Sequence, residues 1–366
     1  MNKRLSNFTE WLIENNQDFA YIHSPSNVFY LSNFHCEPHE RLLGLFVVPN
    51  QEPFLVCPGM EVSQARDAGW TYGIIGYSDS EQPFDFIEEA LKARGVQSPE
   101  RAAIEKATLS YERVEHLKER FGKLEFHAAE TALNELRLIK DDSEVEVLRE
   151  AAALADFGVE TGVSVLRDGI TEMEVLATIE FELKKKGIRE MSFSTMVLFG
   201  ENSGAPHGNP GQRKLKKGDL VLFDLGVVLN GYCSDITRTV AFGDINEKQK
   251  EIYETVLKAQ TASLDISRPG TRLGDIDLAA RNVISDAGYG EFFPHRIGHG
   301  IGIEVHEYPS MSEKNDNQLQ EGMTYTIEPG IYLPEVGGVR IEDDVFVTED
   351  GYETLTKYPK ELQIIK

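Results

Sequence analysis

The feature that most restricts this chain is an Asn230-Gly231 pair between two β-prone runs, residues 220–229 and 232–242. Asn-Gly favours a two-residue type I′ turn, whose two left-handed residues match the twist of an antiparallel strand pair. That loop fixes the register: Leu229 faces Tyr232, Gly226 faces Asp235 and Asp224 faces Thr237. Asp224, Gly226, Asp235 and Thr237 then share one face, with the two acids as diagonal neighbours about 7 Å apart. Gly226 is expected to leave them room. Acids are depleted in strands and costly to bury unpaired among Val221, Leu222, Phe223, Leu225 and Ile236. A cation held between them satisfies the pattern, and so does the solvated face of an edge hairpin.

Three of the nine histidines, His295, His299 and His306, fall within twelve residues, and glycines at 298, 300 and 302 let backbone close in around His299. The Gly-x-Gly-x-Gly run lacks the strand, helix and spacing of a dinucleotide site. Two further apolar runs, residues 324–329 and 338–347, carry Glu328 and Glu342. Glu342 follows Arg340 by two positions, so in a strand both side chains point the same way, as a same-strand ion pair would require. Four carboxylates and a histidine suit hard first-row divalent ions, manganese or cobalt ahead of a thiolate-bound structural zinc. Their formal charge of minus four is cancelled by two such ions and not by one.

The chain has 366 residues, more than one compact core accommodates, which predicts two domains. The first third alternates strand patterns (18–23, 28–31, 41–48, 53–57, 72–77, 102–104) with helical ones (83–94, 111–121), an α/β domain. A long amphipathic stretch, residues 131–166, follows, and the boundary is placed there: 1–131 and 132–366. Helices near 173–186, 247–267 and 273–288 are expected to cover a mixed sheet. With 37 Lys plus Arg against 61 Asp plus Glu, the net charge is −24, a field that repels nucleic acid. Cys36, Cys57 and Cys233 are too scattered for a disulfide framework, and no export leader or membrane-length apolar run is evident. A soluble, cytoplasmic protein with no membrane partner is the expectation.

Asp224, Asp235, His299, Glu328 and Glu342 follow one another in steps of 11, 64, 29 and 14 residues. They lie in or beside Gly231-Tyr-Cys-Ser-Asp-Ile-Thr-Arg-Thr239, Gly298-His-Gly-Ile-Gly302, Glu328-Pro-Gly330 and Gly338-Val-Arg-Ile-Glu-Asp343. With Pro206-His207-Gly208 and Pro25-Ser-Asn-Val-Phe-Tyr-Leu31, the chain resembles the Xaa-Pro dipeptidases, or prolidases. These belong to the pita-bread metallopeptidases, which also include methionine and Xaa-Pro aminopeptidases.

The resemblance implies an α/β (α+β) fold: a small creatinase-like N-terminal domain followed by a pita-bread catalytic domain. It implies two divalent ions per subunit, manganese first with cobalt or zinc as alternatives. Asp224 would hold one, His299 and Glu328 the other, and Asp235 and Glu342 both. Glu328 would act as general base, His207 and His306 would serve the tetrahedral intermediate or the substrate, and Arg340 would contact substrate. A homodimer is implied, with the loop His35-Cys-Glu-Pro-His39 reaching the other subunit's site and His39 as its candidate contact. The substrates would be Xaa-Pro dipeptides; the alternatives are an Xaa-Pro aminopeptidase acting on longer peptides and a non-catalytic peptide-binding scaffold, whose relatives usually lose ligands. Two positions depart from the pattern. Ser310 stands where many prolidases carry an arginine that grips the dipeptide carboxylate, and Asp344 stands where a threonine is frequent.

Overall fold

The computed structural model describes residues 2–366 and divides into two compact units, one up to Arg137 and the other from Leu138 on. In the first unit a six-stranded sheet runs in the order Gly73–Tyr77, Phe54–Pro58, Gly44–Val47, Phe19–Ile22, Arg101–Ile104, Glu125–Ala128. Gly44–Val47 is antiparallel to both neighbours and the other pairs are parallel. Phe19, Tyr21, Phe46, Phe54 and Val56 pack with Ile87, Leu91 and Leu117 of the helices Pro83–Ala93 and Tyr111–Phe121. This is the α/β domain read from the sequence.

One segment differs. Residues 28–31, expected as a strand, lie in the helix Pro25–Ser32. Four apolar residues do not distinguish a buried strand from a buried helical turn. The residues before them decide it: Ser24 Oγ accepts from the Asn27 amide and Pro25 stands in the first turn, where its missing N–H costs nothing. Glu105 clamps that cap. Its carboxylate accepts from the amides of His23 and Ser24 (2.6 and 2.8 Å), from Ser24 Oγ (2.5 Å) and from Asn27 Nδ2 (2.7 Å).

The stretch 131–166 is two helices, Glu130–Leu138 and Asp142–Ser164. The break is a capping box at Asp141, whose side chain accepts from the Glu144 amide while Glu144 accepts from the Asp141 amide. The helix Glu130–Leu138, inside which the expected 131/132 limit falls, is fastened to what precedes it. Tyr30 Oη donates to the Leu136 carbonyl (2.6 Å) and Arg137 Nη1 to Asn27 Oδ1 (2.8 Å).

The second unit is built twice over. Helices Asp142–Ser164 and Glu172–Lys185 lay Ala151, Ala155, Val159, Val175 and Ile179 on Val197, Val221, Phe223, Leu225 and Val240. The sheet beneath runs Ile364–Ile365, Ile236–Phe242, Asp219–Leu225, Met196–Phe199. Helices Glu247–Asp265 and Leu273–Asp286 likewise lay Ile252, Val256, Ile276 and Ala280 on Tyr325, Ile327, Val345 and Val347. Their sheet runs Glu307–Met311, Gly298–Gly300, Thr324–Ile327, Asp343–Val347, Tyr352–Thr354. Two helix-covered sheets meeting on their uncovered faces form the pita-bread architecture. Among the described residues no helix is long and apolar enough to cross a membrane, and the three cysteines are free and buried.

Candidate metal centre

The hairpin has the register its turn dictates. Asn230 and Gly231 both take positive φ (48° and 85°), Leu229 pairs with Tyr232, and the ladder continues from Ile236 opposite Leu225 through Thr237 opposite Asp224. Val221, Phe223 and Leu225 point to the helices, so alternation sends Asp224 to the opposite face. That face is buried: Asp224 is 8% and Asp235 5% exposed, which excludes a solvated edge. The role of Gly226 is different from the one expected. A Cβ there would stand 1.8 Å from the Ser234 carbonyl oxygen, so the glycine admits the opposite backbone and not an ion.

The second sheet supplies the facing groups. His299 lies in Gly298–Gly300, where a Cβ on Gly298 would stand 1.9 Å from the Thr326 carbonyl oxygen. Its Nδ1 is 3.1 Å from the Gly300 carbonyl, and a carbonyl only accepts, so Nδ1 carries the proton and Nε2 is left as a ligand atom. Nε2 lies 3.6 Å from Glu328 Oε1 and 3.8 Å from Asp235 Oδ2. Glu328 follows the strand Thr324–Ile327, its amide tied to the Ile297 carbonyl. Glu342 lies between the strands Gly337–Arg340 and Asp343–Val347, stitched to the hairpin twice: its amide donates to the Thr237 carbonyl (3.0 Å) and its Oε2 accepts from Thr237 Oγ1 (2.6 Å). Because Glu342 is outside the strand, the same-strand pair with Arg340 does not form. Arg340 Nη2 donates to Asp224 instead.

The four acids and His299 line one cavity of about 370 Å³, together with His207, His295, His306 and Arg340, which the sequence had marked, and Arg296, Tyr332, Phe193 and Met196, which it had not. His39 lies in the first unit, at φ 54°. Asp235, His299 and Glu342 each offer a ligand atom within 4.8 Å of the others. Asp224 Oδ1, Asp235 Oδ1 and Glu342 Oε1 are buried with no hydrogen-bond partner. Burial and the neighbouring Glu342 and Asp224 push the Asp235 carboxyl well above the usual range, and burial with Glu342 does the same to Glu328. Burial and Asp224 lift Glu342 to about 7, while burial and His306 hold His299 down to about 3, neutral and ready to ligate. Orphaned oxygens and mutual repulsion are the marks of a site completed by cations, and the residues fit divalent metal.

Comparison with known proteins agrees with this geometry. A family model described as metallopeptidase family M24 matches residues 146–349, and one described as the creatinase/prolidase N-terminal domain matches residues 4–139. A provisionally named dipeptidase, YkvY of Bacillus subtilis (strain 168), is 62% identical over 362 residues, 99% of each chain. The structure of an Xaa-Pro dipeptidase from Bacillus anthracis superposes with a TM-score of 0.92 at 35% identity, covering 99% of both chains. That of an X-Pro aminopeptidase from Thermotoga maritima MSB8 gives 0.87 at 30% identity, over 98% of this chain and 99% of that one.

Proposed function

The chain belongs to metallopeptidase family M24, and from that premise we propose that it is an Xaa-Pro dipeptidase working with two divalent ions, manganese in the cell, in the cytoplasm and as a homodimer. The observation that carries the reading is the set of unpartnered carboxylate oxygens converging with His299 in a single cavity. With His299 neutral, Asp224, Asp235, Glu328 and Glu342 make a donor set of formal charge minus four, which two divalent cations match, while Arg340 and Arg296 on the cavity wall add plus two. When bound, such ions supply an activated water and a Lewis acid for the scissile carbonyl.

The side chains divide the remaining work. Glu328, whose Oε1 stands 3.6 Å from His299 Nε2 in the cavity, takes the proton from the attacking water and delivers it to the leaving proline nitrogen. His207 and His306 line the cavity without ligand partners of their own and stabilise the oxyanion as it develops. The His306 ring stands edge-on to His299 at 4.2 Å, close enough to follow the metal side of the site. Tyr332 Oη lies between Arg340 Nη1 (2.8 Å) and His295 Nε2 (2.9 Å), giving the substrate a wall of fixed polarity. Arg340 and His39 are the substrate-side residues, His39 reaching the site across the dimer.

Ser310 and the fold shared with an X-Pro aminopeptidase favour a second reading, removal of the first residue from longer peptides. Rates on Xaa-Pro and Xaa-Pro-Xaa separate the two. Faster cleavage of the dipeptide supports the proposal, and comparable or higher kcat/KM on the tripeptide transfers the assignment to the aminopeptidase. Metal analysis of the purified protein accompanies it, with two equivalents per chain as the expected result.

A further inference from the structure

A dipeptide differs from a longer peptide at one place: a free carboxylate follows the proline ring. An enzyme that prefers dipeptides needs a cation with uncommitted donors at that place. Two permanently charged cations line the cavity, Arg340 and Arg296, and they are in opposite condition. Arg340 is 4% exposed and its guanidinium is largely spent, with Nε on Thr237 Oγ1 (3.0 Å), Nη1 on Tyr332 Oη (2.8 Å) and the Pro206 carbonyl (3.4 Å), and Nη2 on Asp224. Of its five N–H groups one is left over.

Arg296 is half-buried and makes one side-chain hydrogen bond, from Nη1 to Ser310 Oγ at 3.1 Å. Among the described residues no carboxylate lies within 4.0 Å of it. Its backbone is nonetheless held: Arg281 Nη2 donates to the His295 carbonyl (2.8 Å) and Asp277 Oδ2 accepts from the Ile297 amide (2.8 Å), so the residues on both sides are fixed to one ion pair whose Asp277 is fully buried. Glu328 feels its charge from across the cavity, but no carboxylate is in contact, and a half-desolvated guanidinium on a rigid mount with donors to spare is suited to a ligand that brings its own. Its anchor is Ser310, the position at which the resemblance to prolidases lacks its arginine. His299 pairs with Ser310 across the strands, so a guanidinium from residue 296 reaches the corner that a side chain from residue 310 would occupy.

The geometry points to Arg296, braced by Ser310, as the residue that reads the free α-carboxylate of the dipeptide. This rests on the dipeptidase reading; Arg340, on the substrate side of the cavity, keeps its donors on Thr237, Tyr332 and Asp224 and holds them in place.

The experiment compares kcat/KM on Xaa-Pro and Xaa-Pro amide, which differ only in the charge, for the metal-loaded wild type and for Arg296→Gln. The wild type should favour the acid by about 10- to 150-fold, the range of a charged hydrogen-bond contact. Arg296→Gln should bring the acid-over-amide ratio toward one, with circular dichroism and metal content at wild-type values showing that the variant is folded. Calorimetry gives a readout independent of turnover: L-proline should bind more tightly than L-prolinamide to the wild type and equally to Arg296→Gln. If Arg296→Gln keeps the preference for the acid, the inference fails and the dipeptidase reading stands. A parallel fall on both substrates also overturns it, making Arg296 a residue of the site's construction. A wild type indifferent to the charge removes the dipeptidase reading and this inference together.

Discussion

Glu105 in the first unit and Glu342 in the second are each 2% exposed, yet their chemistry is opposite. Burial would raise both. At Glu105 it is outweighed by donors from His23, Ser24 and Asn27, which carry the carboxyl down to about 2; at Glu342 burial and Asp224 prevail against a single donor from Thr237, and the carboxyl rises to about 7. The lesson is that donor count, and not depth, separates a carboxylate that builds the fold from one that waits for a ligand. Glu105 is saturated by its own chain. Glu342 keeps an unpartnered oxygen, as do Asp224 and Asp235 beside it.

The largest expected effect breaks the contrast at its functional end. Asp235→Asn and Glu342→Gln should each abolish peptidase activity and lower bound metal, read by mass spectrometry, while the metal-free proteins melt no lower than wild type because a repulsive charge has gone. Wild-type turnover with full metal content in Asp235→Asn would sink the assignment. His207→Ala and His306→Ala come next. Each should reduce kcat by about 10²- to 10³-fold with metal content nearly intact, the usual cost of losing one oxyanion donor; metal lost in step with activity would make them ligands. At the structural end, Glu105→Gln should cost about 3 kcal/mol in chemical denaturation while metal content stays at the wild-type level.

The mildest test titrates the comparison. Glu105 has a folded value below its unfolded one, so its stabilisation is complete above about 4.5 and is lost as pH falls toward about 2. Glu342 runs the other way: in the metal-free protein its charge is penalised, so stability declines as pH rises from about 4.5 through about 7. Each group contributes a slope of at most about 1.4 kcal/mol per pH unit. Melting curves of metal-free protein should therefore fall away on both sides of pH 4 to 5, and Glu342→Gln should make only the upper side less steep, Asp235 and Glu328 supplying the remainder.

Much of this was legible in the chain. Asn230-Gly231 fixed a register because a two-residue turn is a local object, and the spacing of the five candidate ligand residues carried the family. What stayed hidden depends on partners far away in sequence. The four donors on Glu105 come from residues 23–27, some eighty positions earlier, and no local pattern announces them. Arg296 passed unnoticed between two conspicuous histidines, since its importance lies in the partners it lacks. Two misreadings were avoidable: Ser24-Pro25 before the apolar run 28–31, and Asp141 three residues before Glu144, are both helix-start signals written in the sequence.

Gly226 and Gly298 have a consequence for how this molecule can drift through sequence space. Each admits a neighbouring carbonyl to where a methyl group would otherwise stand, one beside the strand of Asp224 and the other beside His299. Neither carries chemistry, but an alanine at either would wedge apart the two strands that set a ligand's position. Among working variants these positions should prove as immobile as the ligands themselves, so invariance there would record tolerance of backbone spacing and would mislead a search for catalytic groups that relied on it.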